Sequence, residues 1–271
     1  MSTGKSDKEL AFLQDLYVST DWGERFAELF DEHVELPEKG RALYVESGTG
    51  GHAMALQERA GEEVKLLCVD ESEECLELAR AKAVAMNAQT EFRVARLDGL
   101  YLRDDQFDLV LGDGSLVSPS RLPVMLSEMV RVAVPGGTVA LSLATASSFG
   151  EFFSVYWEAL RNAGLEQQGN DVEKLISELP TVSDVEALAE RAGLDAVTSW
   201  TRIEEFDYGS GEDFLNSPLI TDFLFKAWLG PLPESVHSRV SQEIARIIDE
   251  DRHGMDFALS VKATLVVGRK K

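Results

Sequence analysis

Residues 43 to 56 read LYVESGTGGHAMAL: an apolar run, an acid at its end, three glycines clustered around Thr49, then a histidine. RALYVE, residues 41 to 46, has the nearly unbroken apolar character of a strand buried on both faces, and GHAMALQERA after it reads as a helix. Glycines between the two let the backbone turn tightly and let a neighbour touch the main chain. The segment is a strand, a glycine turn and a helix, and the question it raises is what touches the turn.

The alternation repeats outward from there. VKLLCVD (64–70) reads as a second strand, and DESEECLELARAKAVAMNA as a long helix with Leu76, Ala79, Ala83 and Met86 at helical spacing. EFRVARL (91–97) and FDLVLGD (107–113) are a third and a fourth strand, SRLPVMLSEMVRVA a helix, and TVALSLATA (138–146) a fifth strand. Apolar strands alternating with helices imply a doubly wound α/β fold, a parallel sheet with helices on both faces. Further on, SSFGEFFSVYWEALRNAG looks helical, and VSDVEALAERAG is a short helix with a capping box from Ser183 to Glu186. LDAVTSWTRIEEFDY (194–208) and FALSVKATLVVG (257–268) complete seven strands. An amphipathic segment from Leu10 to about Leu36 precedes the sheet, and a Gly, Ser and Pro-punctuated helical segment, about 209–254, forms a cap between its last two strands. No repeat or linker interrupts the chain. One domain is expected over 1–271, divided into an N-terminal helical segment (1–40), a core (41–145) and a remainder (146–271).

Composition narrows the partners. The net charge is −22, from 48 acids against 26 bases, and such a field repels nucleic acid, whose binding rests on cationic side chains. No stretch approaches the roughly 18 apolar residues of a membrane span, and MSTGKSDKELAFLQ is charged where a signal peptide is apolar, so a cytoplasmic protein is expected. Cys68 and Cys75 read as reduced packing residues. The four histidines (33, 52, 237, 253) are scattered singly, so no metal site is expected.

In an open α/β sheet the ligand lies outside the carboxyl ends of the strands, where the strand order reverses. Gly48 to Gly51 sit at such an end and open a helix N-terminus. The dinucleotide fingerprint G-x-G-x-x-G is not met, because Ala53 stands in the third glycine's place and Glu46 lies two residues ahead of the first. A pyrophosphate prefers positive surroundings, whereas an acid there favours a ligand with a cationic part. S-adenosylmethionine carries a sulfonium and an ammonium, and no phosphate.

With those residues in view, the sequence resembles the class I S-adenosylmethionine-dependent methyltransferases, in four motifs in order over residues 41 to 145, and within them the small-molecule group similar to ubiquinone and menaquinone biosynthesis enzymes. YVESGTGG is similar to the family's E/D-x-G-x-G loop; the resemblance implies that Glu46, Ser47, Gly48, Thr49 and Gly50 line the methionine and ribose end. VDESEECLELAR implies Asp70 at the ribose hydroxyls, with Glu71 beside it, although DESE alone also reads as a helix start. RLDGLYLRDDQFDLVLGD implies Asp98 at the adenine amino group, Gly99 and Leu100 beside the ring, and Gly112 with Asp113 at the substrate-facing strand end; a plain turn residue is the other reading of Asp98. Pro135, Gly136 and Gly137 resemble the turn that precedes the fifth strand. The family also implies a Rossmann-like seven-stranded sheet whose last strand is antiparallel, and S-adenosylhomocysteine as product.

A sulfonium methyl is already activated, so the protein's task is to align a nucleophile and exclude water. A general base is needed for a hydroxyl or carbon acid, and His52 and Asp113 are the candidates; His52 otherwise packs or faces solvent. The Asn/Asp-Pro-Pro-aromatic motif of planar-amine methylation is absent, since Asp113-Gly114-Ser115-Leu116 stands in its place. Seven of the 22 aromatics fall between Trp200 and Trp228, and Phe152, Phe153, Tyr156 and Trp157 add a second group. They read as an ordinary core or as an apolar pocket for a small organic acceptor, closed by the cap. Tyr17 and Trp22 read equally as a flap over the cofactor or as packing residues. The competing functions are a methyltransferase-like scaffold without catalysis and a nicotinamide-dependent oxidoreductase; protein methylation ranks lower. A small-molecule acceptor is the expected partner, without nucleic acid or membrane, and a homodimer is left open.

Overall fold

The computed structural model describes residues 4–251 and 255–271. His253 and the last residues of the expected cap segment lie outside the described residues. The strands are β1 (Gly40–Val45), β2 (Val64–Asp70), β3 (Glu91–Val94), β4 (Phe107–Asp113), β5 (Ala133–Ala144), β6 (Leu194–Tyr208) and β7 (Phe257–Lys270). They form one seven-stranded sheet in the order β3-β2-β1-β4-β5-β7-β6, with β7 antiparallel to both neighbours and the other pairs parallel. The order reverses between β1 and β4, so a crevice opens beyond their carboxyl ends, where Glu46 and Asp113 stand.

Alternation along β1 explains why the sheet is covered twice. Ala42 and Tyr44 point into one core, Leu43 and Val45 into the other, as a two-residue period requires. The first face carries α2 (Glu24–His33), α3 (Gly51–Ala60) and α6 (Gly150–Asn162) together with the cap; the second carries α5 (Leu122–Val132) and α8 (Val182–Arg191). α1 (Asp7–Leu13) leads into a π-helical stretch, Gln14–Gly23, and then into α2, so the amphipathic region is three pieces rather than one helix. α4 (Glu73–Met86) lies over β2 and β3, and α7 (Gly169–Glu178), which the sequence pattern leaves unassigned, follows α6. The cap comprises α9 (Gly211–Asn216), a π-helical turn Leu219–Leu224, α10 (Phe225–Trp228) and α11 (Glu234–Asp251).

Three expectations are corrected. The capping box belongs to Thr181 and Asp184, not Ser183 and Glu186; Thr181 has the extended backbone of a cap, while Glu186 accepts the Ser199 hydroxyl. Pro135, Gly136 and Gly137 lie inside β5 as an irregularity, because the partner of Phe107 is Ala133 while that of Leu109 is already Thr138. The third strand is shorter than EFRVARL: pairing ends at Val94, and Arg96 turns back to bridge Gly99.

Candidate functional site

The site begins with the way β1 ends. Glu46 takes φ 57°, a left-handed conformation that costs a non-glycine residue about 1–3 kcal/mol and turns the chain out of the sheet. Gly48 (φ 55°) and Gly50 (φ 79°) continue the turn. Gly50 also packs tightly on α4, where a Cβ would stand 2.8 Å from that of Ala79. No side chain caps α3 at Gly50, so the helix opens toward the crevice with its first amide donors uncapped by any side chain. Behind the loop Asp70, buried at the end of β2, accepts the Gly48 N–H on Oδ2 and the Ser72 N–H on Oδ1, both at 2.8 Å.

A cavity of about 380 Å³ lies in front of the loop, between it and the N-terminal segment. Glu46, Ser47, Gly48, Gly50, His52 and Asp113 line it, opposed by Gln14, Asp15, Val18, Trp22, Glu28 and Asp31. Glu46 Oε1 and Ser47 Oγ are sealed from solvent and have no hydrogen-bond partner within the protein. Burial, reinforced by the charges of Asp70, Glu71 and Asp113, holds the Glu46 carboxyl well above its usual range. Burial also raises Asp113, against hydrogen bonds from Ser115, and Asp70, against its two amide donors. Three carboxyls pressed together this way favour a cationic ligand.

The N-terminal segment closes the cavity through polar contacts at both of its ends. Thr49 Oγ1 donates to Asp15 Oδ1 at 2.6 Å, and Lys82 of α4 pairs with the same carboxylate and reaches the Thr49 carbonyl at 3.1 Å. Trp22, 1% exposed, donates its indole N–H to Ser115 Oγ at 2.9 Å. Lys5 pairs with Asp222 of the cap at 2.7 Å, and the Asp222 side chain has no solvent exposure. Tyr17, by contrast, points to solvent.

His52, the second residue of α3, is held on both ring nitrogens: Nδ1 lies 3.0 Å from the Tyr44 hydroxyl and Nε2 3.0 Å from Asp31 Oδ1. The other residues singled out from sequence lie outside the cavity wall. Thr49 is buried, its hydroxyl turned to Asp15 of the N-terminal segment. Glu71 is bound to Arg121 at 2.7 and 2.8 Å and accepts the Leu97 N–H. Asp98 is exposed and paired with Arg96, and Gly99 donates to the Arg96 carbonyl. Leu100 belongs to the core on the α5 side, and Gly112 gives α5 room, a Cβ there standing 2.6 Å from Met129 Sδ. Sequence reasoning passed over Gln14, Asp15, Asp31, Tyr44 and Lys82; polar positions 14, 15 and 19 recurring beside Val18 and Trp22 were the readable signal for the first two.

The aromatic groups divide. Phe152 stacks on Trp228 at 4.0 Å, Phe149 meets Trp228 at 5.1 Å, and Trp22 stacks on Phe206 at 5.3 Å and Phe149 at 6.2 Å. This chain of rings joins the cavity at the glycine loop to the cap, and a second cavity of about 320 Å³ lies on its far side, lined by Phe149, Phe153, Leu175 and Trp228. Trp200 does not belong to it: it stacks on His33 at 4.5 Å beside the Pro135–Gly137 end of the sheet. Trp157 is largely exposed. Among the described residues no cluster of His, Cys, Asp or Glu is arranged to hold a metal, and no helix is long and apolar enough to cross a membrane. Cys68 and Cys75 are both buried and unbridged.

This sheet order, with a glycine turn and acids at its switch point, defines a Rossmann-like α/β fold with its crevice at the carboxyl ends of β1 and β4. The family profile described as "Methyltransferase domain" matches residues 42–137. Demethylmenaquinone methyltransferases of Bacillus licheniformis and Lysinibacillus sphaericus are each 30% identical, over 60% and 62% of this chain and 74% and 75% of theirs. The YcgJ protein of Bacillus subtilis has the same fold (TM-score 0.60, 18% identity, 92% of this chain and 99% of that one). So does a Haemonchus contortus phosphoethanolamine N-methyltransferase solved with S-adenosyl-L-methionine (TM-score 0.56, 14% identity, 99% and 58%). The chain belongs to the class I S-adenosylmethionine-dependent methyltransferases that act on small molecules.

Proposed function

We propose that the cavity between the glycine loop and the N-terminal segment binds S-adenosylmethionine, and that the acceptor is a reduced quinone or a similar planar, hydroxyl-bearing ring. The observation that carries the cofactor reading is the sealed, partnerless Glu46 Oε1, with Ser47 Oγ beside it. An ammonium donor answers both, and a cationic ligand relieves the repulsion among Glu46, Asp70 and Asp113. Asp70 keeps lone pairs free for ribose hydroxyls beyond its two amide donors, and the family resemblance would put adenine toward Glu71, Asp98, Gly99 and Leu100, outside the cavity wall as the chain stands. The bound cofactor supplies an activated methyl group. The protein's residues orient it, and Trp22 with Val18 and the rest of the N-terminal segment keeps water from it.

The acceptor reading is supported by the names of the relatives and by the aromatic wall of Trp22, Phe149 and Trp228, against which a flat ring can stack. On this reading residues 1–271 act as one methyltransferase unit, in the cytoplasm. Calorimetric titration with S-adenosylmethionine, S-adenosylhomocysteine and NAD, followed by transfer of labelled methyl to a reduced, short-chain demethylmenaquinone, tests it. Micromolar binding of the first two, and label in the naphthalene ring, is expected; binding of NAD alone, or of none, overturns the cofactor reading.

A further inference from the structure

We propose that Tyr44, His52 and Asp31 form a proton relay that carries the acceptor's hydroxyl proton out of the cofactor cavity, with Tyr44 as the catalytic residue and His52 and Asp31 acting through it. The proposal rests on the reading of that cavity as the methyl-transfer site. Tyr44 stands on β1, two residues before Glu46, and is 4% exposed, with its side chain in the cavity wall. From its hydroxyl the path runs 3.0 Å to His52 Nδ1 and from Nε2 a further 3.0 Å to Asp31 Oδ1. Asp31 sits on α2 with 36% of its side chain exposed, and Arg59 holds the same carboxylate oxygen. The three side chains come from β1, α3 and α2, and they connect a buried phenol to the surface.

Donor and acceptor counting fixes the direction. Ionised Asp31, its carboxyl held below the usual range against the cost of burial by His52 and Arg59, can only accept, so Nε2 carries the hydrogen. Nδ1 then presents a lone pair to Tyr44, which donates to it. A neutral imidazole with its free lone pair against a buried hydroxyl is the arrangement that receives a proton. A buried tyrosine hydroxyl requires a partner, and here that partner is a histidine whose second nitrogen continues to a half-exposed acid.

The chemistry balances. The acceptor's O–H breaks and its proton passes to the Tyr44 oxygen as the Tyr44 proton passes to Nδ1, leaving an imidazolium between Tyr44 and Asp31. The acceptor oxygen, or a ring carbon conjugated with it, gains the methyl, and the electron pair of the broken C–S bond stays on sulfur. One proton is released per methyl transferred, and after carbon attack the ring C–H proton returns the hydroxyl. The imidazolium faces Asp31 and Glu28 on α2, Arg59 on α3, Asp113 on β4 and Glu46 at the end of β1, with Cys68 of β2 beside Tyr44.

The test has two arms. In protein labelled with 15N-histidine, His52 assigned by its loss in His52→Gln should be the Nε2–H tautomer with Nδ1 accepting. Tyr44→Phe should shift the Nδ1 resonance, and Asp31→Asn should shift the Nε2 resonance. In the second arm, with the reduced short-chain demethylmenaquinone as acceptor, Tyr44→Phe and His52→Gln should lower kcat about 100- to 10,000-fold. KM and cofactor affinity should stay within about twofold, and the pH dependence of kcat should flatten. Hydrogen on Nδ1, or wild-type kcat in Tyr44→Phe, overturns the relay. If the wild type leaves the naphthoquinol untouched while His52 shows the expected tautomer and shifts, the acceptor reading fails and the relay stands.

Discussion

Asp70 Oδ2 accepts the backbone N–H of Gly48 at 2.8 Å, so the acid that ends β2 holds the glycine turn that ends β1. The same carboxylate holds Ser72, the residue that caps α4. One buried group thus fixes two neighbouring connections. Asp70→Ala should raise the dissociation constant for S-adenosylmethionine by about 10- to 100-fold, equivalent to losing roughly 1.5–3 kcal/mol of charged hydrogen bonding. Because two half-buried amides lose their acceptor, thermal unfolding should also show a loss of about 1–3 kcal/mol. Unchanged affinity by calorimetry would remove Asp70 from the cofactor site.

Glu46 combines a strained backbone with a carboxyl whose acid range is raised by burial and by its acidic neighbours. A group that binds its proton more tightly in the folded state opposes folding while ionised. That cost is present above the raised folded range, and it disappears as pH falls through that range toward the unfolded one. Glu46→Gln should therefore stabilise the ligand-free protein at pH 8 by about 1 kcal/mol, with the difference shrinking on acidification. The same variant should bind S-adenosylmethionine more weakly at pH 8. Denaturant unfolding at several pH values reads the first effect and calorimetry the second; a variant less stable at every pH would contradict this account.

Lys5 neutralises a carboxylate that has no exposure of its own, and it does so from a side chain that is 37% exposed. Lys5→Met should cost about 1–3 kcal/mol, the range for stranding a buried acceptor, and should quicken amide hydrogen exchange from Gln14 to Gly23. Exchange in α5, on the other face of the sheet, should not change.

Gly50, the residue before α3, lies against Ala79 of α4 with a left-handed φ. Gly50→Ala should destabilise the fold by about 1–3 kcal/mol through strain and the contact with Ala79. A melting temperature within a degree of the wild type would mean that α4 moves aside freely.

The parts of the molecule written in local pattern were legible. β2, β4, β6 and α3 fall where VKLLCVD, FDLVLGD, LDAVTSWTRIEEFDY and GHAMALQERA place them, because hydrophobic period and glycine punctuation are properties of short stretches. α7 was passed over although Gly169 opens it and Pro180 follows it, because only Val172, Leu175 and Ile176 mark an apolar face in a ten-residue stretch. Of the site, the β1 turn with Glu46 and Gly48 could be read directly. The wall facing it could not: Asp15, Asp31 and Lys82 reach the cavity only because the N-terminal segment folds back across the sheet, and no local period encodes that return. His52 could be singled out, but its partners Tyr44 and Asp31 lie eight and 21 residues away, on other elements.

The pairing of Lys5 with Asp222 spans 217 positions of sequence. During synthesis the glycine loop, its helix and the partner acid Asp70 are all made well before the cap, and so are Thr49, Lys82 and Ser115, which hold the middle of the strap across the cavity. Its Lys5 end alone waits for Asp222 to leave the ribosome. Complete closure of the cavity thus doubles as a signal that the polypeptide has been made through its cap, and a chain truncated before residue 222 would keep the glycine turn but lack the clasp.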